Sequence, residues 1–150
     1  MRIVYLHGRM SSPNSFKRQQ LEKMGHEVYA PKLNSASWEQ SVNAARDMIE
    51  NVQPDLVIGS SRGGAVAMAT NTTIPMVLIC PAWGRFAPWA AARGNTTILH
   101  AKEDSIVKFS DSQLLSNIFG CRLVEDGKDH RMNDEVAMAR LYEVIEEYTR

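Results

Sequence analysis

The pattern Gly59-Ser60-Ser61-Arg62-Gly63 is the stretch of this sequence whose residue types and spacing best suit covalent chemistry. An apolar run at 56–58 precedes it, and an Ala-rich segment that favours a helix follows. Between a strand and a helix, such a Gly-x-Ser-x-Gly pattern holds its serine at the tip of a sharp turn, and the glycines let the two backbones approach each other. The pattern therefore predicts that Ser61 is a nucleophile. The alternative interpretation is a Ser/Gly turn without chemistry.

A serine hydroxyl is a weak nucleophile and needs a neighbouring base. His130 follows the last predicted strand and is the candidate base, and the acidic pair Glu103-Asp104 follows the fifth. A carboxylate there would hold the imidazole in the correct tautomer and stabilise the imidazolium. Ser, acid and His, each after a separate strand, is the chain order of an α/β-hydrolase triad. The alternative for His130 is a surface histidine without a catalytic role, and the alternative for the acid is a capping or solvated carboxylate. His26 and His100 are weaker candidates for the base, because His26 enters a predicted strand and His100 lies within one.

Six short apolar segments alternate with helical patterns along the chain. The predicted strands are Ile3 to Leu6, His26 to Ala30, Asp55 to Ile58, Ile74 to Cys80, Thr96 to Ala101 and Cys121 to Glu125. The predicted helices run from Asn14 or Ser15 to Met24, from Ser37 to Val52, from Ser61 to Thr70, from Asp111 to Ile118 and from Asn133 to Tyr148. This alternation predicts an α/β fold, a three-layer doubly wound sandwich with a mostly parallel six-stranded sheet. Ligands in such folds collect beyond the carboxyl ends of the strands.

Length and composition narrow the classes of protein to consider. The 150 residues (1–150) are expected to form a single domain, and 44% apolar with 23% charged residues is the balance of a soluble globular protein. Lys+Arg and Asp+Glu both number 17, which gives no support to a nucleic-acid or membrane-surface partner. No signal peptide or membrane span is expected. Cys80 and Cys121 lack metal-site spacing, so we expect reduced thiols and a cytoplasmic protein.

Several motifs together resemble the α/β-hydrolase superfamily and, within it, the small bacterial YqiA-like esterases. The matching segments are Tyr5 to Pro13, Gly59 to Gly64, Pro81-Ala82, His100 to Val107 and Asp129-His130. The resemblance implies a minimal α/β-hydrolase fold, with Ser61 as nucleophile, Asp104 as acid and His130 as base. It favours Asp104 over Glu103, because the family pattern places an aspartate ahead of a valine after this strand. His7 matches the histidine of a His-Gly turn, which shapes the loop by hydrogen bonding.

An oxyanion hole needs two backbone N–H groups aimed at the developing negative charge. One is expected from Arg62, directly after the nucleophile at a helix N-terminus, and the other from Arg9, directly after His7-Gly8. Hydrolases of this type usually carry an apolar residue or Gln after the nucleophile, and an aromatic or apolar residue after the His-Gly turn. Because only backbone is required there, the two arginine side chains are free to contribute to substrate recognition.

The stretch 81–94 leaves the predicted fourth strand beside the nucleophile strand and supplies the remaining substrate-binding candidates. Trp83, Phe86 and Trp89 are predicted to wall an acyl site, with coverage of the core as the alternative. Arg85 would join the guanidinium groups of Arg9 and Arg62 in one pocket, where they would bind an anionic group; the alternative is that these side chains point into solvent.

The sequence thus predicts a serine hydrolase that acts on a small-molecule ester or thioester, with no metal or organic cofactor; it makes no prediction of oligomeric state. The alternative from another class is a catalytically inactive binding module that keeps the fold and the pocket. A nucleotide-binding domain is disfavoured, because residues 59–64 match neither the dinucleotide fingerprint nor a Walker loop.

Overall fold

Six parallel strands form one sheet in the computed structural model, which describes residues 1–149; Arg150, the last residue of the predicted domain, lies outside the described residues. The strands are β1 Arg2–Leu6, β2 Glu27–Tyr29, β3 Leu56–Ser60, β4 Met76–Ile79, β5 Thr97–His100 and β6 Arg122–Glu125. Their order across the sheet is β2-β1-β3-β4-β5-β6, and every neighbouring pair is parallel. The predicted six-stranded sheet is confirmed, and β4 lies beside β3, the strand that leads to Ser61, as expected.

Helices cover both faces of the sheet, as predicted. They are α1 Phe16–Lys23, α2 Trp38–Val52, α3 Arg62–Ala69, α4 Trp83–Phe86, α5 Phe109–Phe119 and α6 Glu135–Glu147. Buried residues of α2, α3, α4 and α5 share one apolar cluster, and those of α1 and α6 share the other. The short helix α4 was not predicted, because four residues are too few for an apolar period to be visible. Within residues 1–149, no helix is long and apolar enough to span a membrane.

The central strands are apolar on both faces because each face packs against a helical layer. In β1, Val4 and Leu6 belong to one cluster, and Ile3 and Tyr5 belong to the other. Side chains alternate between the faces of a strand, so a strand buried on both sides reads as a continuous apolar run. This is why the sequence identified these strands without any polar alternation.

Side-chain caps define where three helices begin. Ser15 and Ser37 accept hydrogen bonds from Arg18 N–H and Gln40 N–H, as expected for N-caps of α1 and α2. The expected cap Asn133 was wrong: α6 begins later, and the carboxylate of Asp134 accepts from Ala137 N–H at 3.2 Å. The amide of Asn133 instead accepts a hydrogen bond from α1, which matters for the site below.

The turn between β3 and α3 is the most constrained backbone of the site. Ser61 adopts φ 55° and ψ −118°, a conformation that side chains rarely adopt. A Cβ on Gly63 would lie 2.1 Å from the carbonyl oxygen of Leu6, and one on Gly59 would lie 2.5 Å from the carbonyl oxygen of Gly63. The glycines are therefore required by the close approach of α3 to β1 and β3, and this approach holds Ser61 at the carboxyl end of the sheet.

Gly63→Ala tests this constraint. Because the added methyl meets backbone rather than a movable side chain, we expect the free energy of unfolding to fall by about 3 kcal/mol or more. Urea unfolding followed by circular dichroism measures the change. Gly94→Ala is the matched control, since no atom lies within 4 Å of its added Cβ. Equal unfolding midpoints for the two variants would contradict the close approach.

Candidate active site

Ser61, His130 and Asp104 lie in one row of hydrogen bonds. The Ser61 Oγ is 2.9 Å from His130 Nε2, and His130 Nδ1 is 2.7 Å from Asp104 Oδ2. A carboxylate only accepts, so the Nδ1–H of His130 donates to Asp104, which leaves Nε2 as the acceptor for the Ser61 hydroxyl. The three side chains reach this row from the ends of β3, β5 and β6. The structure thus brings together the three residues that the sequence placed on separate strand ends.

Asp104 closes the inner end of the row. Its side chain is fully buried, whereas that of His130 is 20% exposed. Burial alone would raise the pKa of Asp104, but hydrogen bonds from His130 and from the N–H groups of Val107 and Ile106 outweigh it and hold that pKa below its usual value. The carboxylate therefore stays ionised beside the imidazole.

The turn after β5 explains why Asp104, and not its neighbour, joins the row. Asp104 Oδ1 accepts from Ile106 N–H at 2.7 Å and from Val107 N–H at 2.8 Å, which are local bonds that suit a short aspartate side chain. Glu103 is exposed and points away from the buried network. Glu103, the alternative acid that the sequence did not exclude, therefore lies outside the row of hydrogen bonds.

His100 is a second histidine on Asp104 that the sequence analysis passed over. Its Nε2 is 3.1 Å from Asp104 Oδ2 and 3.0 Å from the carbonyl oxygen of Val107, so this nitrogen carries the proton. Its Nδ1 accepts from the Ser112 hydroxyl at 2.6 Å. Burial lowers the pKa of His100, which is neutral. Its position four residues before Asp104, at a strand end, was the available sequence signal.

His100, Asp104 and Cys80 also bring three potential metal ligands within 4.8 Å of one another. However, the Nε2 of His100 is a hydrogen-bond donor, and both oxygens of Asp104 are already engaged. Burial raises the pKa of the Cys80 thiol well above its usual value, so it remains protonated. The donor set fits a hydrogen-bond network and does not fit a metal ion.

The two predicted oxyanion residues lie beside Ser61. Arg62 is the first residue of α3, and its backbone N–H has no acceptor within residues 1–149. The backbone N–H of Arg9 is likewise without an acceptor there, and the preceding Gly8 passes so close that its Cβ would lie 3.5 Å from the Cβ of Ser61. Both N–H groups are therefore free to bind a ligand oxygen, and their oxyanion role stays a prediction.

His7 holds the loop that carries Arg9. The Nδ1–H of His7 donates to the Gly8 carbonyl oxygen at 2.8 Å, and its Nε2 accepts from Leu33 N–H at 3.0 Å. Burial lowers the pKa of His7, in keeping with this neutral form. With both nitrogens engaged, His7 shapes the loop and is not placed to act as a base.

A pocket of about 640 Å³ opens in front of Ser61 and His130. Four of the predicted binding residues line it, namely Arg9, Arg62, Arg85 and Phe86. The structure does not bring Trp83 and Trp89 into the lining. Trp83, the first residue of α4, is buried in the apolar cluster and donates its Nε1–H to the Asp111 carbonyl oxygen at 3.0 Å, and Trp89 is 70% exposed. Of the three aromatic residues expected to wall an acyl site, Phe86 alone contributes to this pocket.

Arg62 uses its side chain for packing. The guanidinium lies 5.5 Å from the ring centroid of Trp38 and 5.7 Å from that of Phe86, and it donates to the Asn34 carbonyl oxygen at 3.1 Å. Only 3% of Arg62 is exposed. Burial, followed by the nearby charge of Arg9, lowers the pKa of Arg62. This guanidinium therefore packs against the aromatic side chains beside the pocket, and little of its surface is accessible to a ligand.

Lys17 is a lining residue that the sequence analysis missed. It is buried on α1, and its ammonium donates to the Arg131 carbonyl oxygen and, at 2.6 Å, to Asn133 Oδ1. Burial lowers its pKa to about 8, against the opposing effect of nearby anionic groups that include Asp129. Lys17 thus ties α1 to the loop that carries His130. A single lysine in a short helix gave no sequence signal of this contact.

Solved structures of α/β hydrolases share this fold. A protein of the α/β-hydrolase superfamily from Xanthomonas campestris superposes with a TM-score of 0.80 at 18% identity, over 99% of this chain and 96% of that one. Est1E from Butyrivibrio proteoclasticus gives 0.76 at 14% identity, over 99% and 86%. The esterase domain of a Rhodothermus marinus protein gives 0.67 at 18% identity, over 96% and 83%. At these identities the likeness establishes the fold.

Sequence comparison adds the family. No curated protein sequence matches the chain. The family described as Uncharacterised protein family (UPF0227) matches residues 2–92, which include the His-Gly loop, the nucleophile turn and α4. The chain therefore has the α/β-hydrolase fold and belongs to the family UPF0227.

Proposed function

We propose that the protein is a serine hydrolase that cleaves a small ester or thioester through an acyl-enzyme intermediate. The observation that carries the proposal is the hydrogen-bonded row from Ser61 through His130 to the buried Asp104, with Ser61 facing a pocket. Solved neighbours of the same fold that are hydrolases and esterases support this reaction class. The reaction needs no group that the row and its surrounding N–H donors do not supply.

Acylation begins with the hydroxyl of Ser61. As Ser61 Oγ attacks the acyl carbon, its proton passes to His130 Nε2, which already accepts it in a hydrogen bond. The ionised Asp104 stabilises the resulting imidazolium through Nδ1–H. His130 then returns the proton to the departing alcohol oxygen or thiol sulfur, and the acyl group remains on Ser61.

The negative charge on the acyl oxygen would be met by the backbone N–H groups of Arg9 and Arg62. Neither group has an acceptor within residues 1–149, so neither must break a hydrogen bond of that part of the chain to bind the oxyanion. The N-terminal end of α3 adds its positive dipole on the Arg62 side. Preorganised donors of this kind contribute about 3 kcal/mol each to the transition state.

Deacylation reverses the roles with water as the nucleophile. His130 removes a proton from water, the hydroxide adds to the acyl carbon, and Ser61 Oγ leaves and regains the proton from His130. The products are a carboxylic acid and free enzyme. Phe86 and Ile106 give the pocket apolar surface for a short acyl chain.

Ser61→Ala should abolish turnover of 4-nitrophenyl butyrate, because no other hydroxyl is paired with His130. Loss of a nucleophile in such a triad lowers kcat by about a thousandfold or more. Covalent labelling by a fluorophosphonate probe, followed by mass spectrometry, should place the adduct on Ser61 and disappear in the variant.

Ser110→Ala is the control for this change, since Ser110 is an exposed serine outside the pocket. It should keep wild-type labelling and turnover. A wild-type protein that is folded yet neither labelled nor active would favour the binding-module alternative. Activity that survives Ser61→Ala but is lost in Ser60→Ala would move the nucleophile to Ser60.

Asp104→Asn should lower kcat for the same ester by about a thousandfold or more, because an amide cannot stabilise the imidazolium and favours the wrong tautomer of His130. Stopped-assay kinetics across pH 6 to 9 measure the loss. The adjacent Glu103→Gln removes an exposed charge only and should retain wild-type kcat. A large loss in Glu103→Gln, with Asp104→Asn still active, would assign the acid to Glu103.

His100 is proposed as a positioning residue that acts through Asp104. Removing its hydrogen bond in His100→Ala should lower kcat about tenfold with little change in KM, because the carboxylate loses one of the donors that fix its orientation. In an Asp104→Asn background the same change should have almost no further effect on kcat. If the two substitutions lower kcat independently, so that the double variant shows the product of the two losses, His100 has only a packing role.

A further inference from the structure

The pocket is far more basic than the protein as a whole. Lysine plus arginine and aspartate plus glutamate each number 17 in the full sequence. The lining nevertheless holds five cationic residues, Arg9, Lys17, Arg62, Arg85 and Arg131, and one acid, Asp111. Charge of one sign concentrated in a concave site attracts ligands of the opposite sign.

Three of these cations have no ion-pair partner in the part of the chain that the structure describes. Within residues 1–149, no carboxylate lies within ion-pair distance of Arg9, Arg85 or Arg131. The nearby carboxylate of Asp129 accepts from the backbone N–H of Arg131 and not from its guanidinium. Burial lowers the pKa of Arg62, and the nearby positive charge of Arg9 lowers it further. Like charges that line one pocket without counter-ions repel one another, and an anionic ligand would relieve that repulsion.

The positions of two of these side chains are set by contacts that leave donors unused. The guanidinium carbon of Arg85 lies 5.0 Å from the ring centroid of Phe86, and within residues 1–149 none of the guanidinium N–H groups donates a hydrogen bond. Lys17 uses two of its three ammonium N–H groups on the His130 loop. Together with the exposed Arg131, they offer hydrogen-bond donors at the lining of the pocket that contains Ser61.

From this arrangement we infer that the enzyme selects substrates that carry a negative charge, a carboxylate or a phosphate, in addition to the ester that is cleaved. The inference rests on the proposed function, since it names the substrate class of the same site. Guanidinium groups bind such oxyanions through paired N–H donors, and a partly desolvated pocket strengthens that attraction. Arg62 contributes charge to the pocket, while its own donors serve the Asn34 carbonyl oxygen.

Two pairs of chromogenic esters test the inference and distinguish the side that carries the charge. The acyl arm compares 4-nitrophenyl hydrogen succinate with 4-nitrophenyl butyrate, and the leaving-group arm compares 3-carboxy-4-nitrophenyl butyrate with the same neutral ester. Each kcat/KM is divided by the spontaneous hydrolysis rate of its ester. We expect a preference for the anion of about tenfold or more in at least one arm at low salt, and a severalfold smaller preference at about 0.5 M NaCl.

Single variants assign the preference to the pocket. Arg85→Gln and Arg131→Gln should each reduce the ratio of anionic to neutral kcat/KM by about threefold or more. Lys23→Gln removes the same charge from an exposed residue outside the lining and should leave the ratio unchanged. Turnover of the neutral ester with no preference in either arm would overturn the inference and leave the proposed hydrolase function standing.

If no ester is turned over, the proposed hydrolase function is contradicted, and the anion site is then tested by a binding measurement. Succinate and the neutral butyramide are titrated calorimetrically into Ser61→Ala protein. Succinate that binds more tightly than butyramide, and less so with added salt or with Arg131→Gln, supports a site for anions. Equal binding of the two, or binding of neither, overturns it.

Discussion

The close approach of α3 to β1 and β3 is the constraint on which the rest of the site depends. It is possible only where Gly63 faces the Leu6 carbonyl oxygen and Gly59 faces Gly63. The turn then holds Ser61 by its own backbone: its N–H donates to the Ile79 carbonyl oxygen at 2.9 Å, and its carbonyl oxygen accepts from Ala82 N–H at 3.0 Å. The nucleophile turn thereby fixes the start of the segment that carries α4 and the basic and aromatic side of the pocket.

The buried carboxylate of Asp104 imposes a second constraint, on the other half of the sheet. An ionised group out of contact with water is tolerable only when donors surround it. Its donors come from the turn after β5, from His100 in β5 and from His130 after β6, and Ser112 of α5 supports His100 in turn. Three elements are thus held to one carboxylate, and the orientation of His130 toward Ser61 follows from that arrangement.

The sequence could predict the features that depend on residues close together in the chain. Continuous apolar runs marked the strands, and Ser61, Asp104 and His130 each stood at a recognisable strand end. What it could not predict depends on side chains that meet only in the folded chain. Trp83 was expected in the pocket and is instead packed in the apolar cluster, and Lys17 reaches the loop of His130 from more than a hundred residues away. Tertiary contacts of this kind leave no period in the sequence.

The proposed use of backbone N–H groups for the oxyanion explains how the pocket can carry an unusual charge. The oxyanion binding proposed for residues 9 and 62 would require only N–H groups, so the side chains at these positions would be free to vary. The side chains of Arg9 and Arg62 lie in different environments. Arg62 turns inward onto Trp38 and Phe86, which fixes the aromatic side, whereas Arg9 stays exposed at the pocket lining. The buried guanidinium of Arg62 thus packs against Phe86, which Arg85 also contacts, and the other cations of the pocket remain available to the proposed anionic substrate.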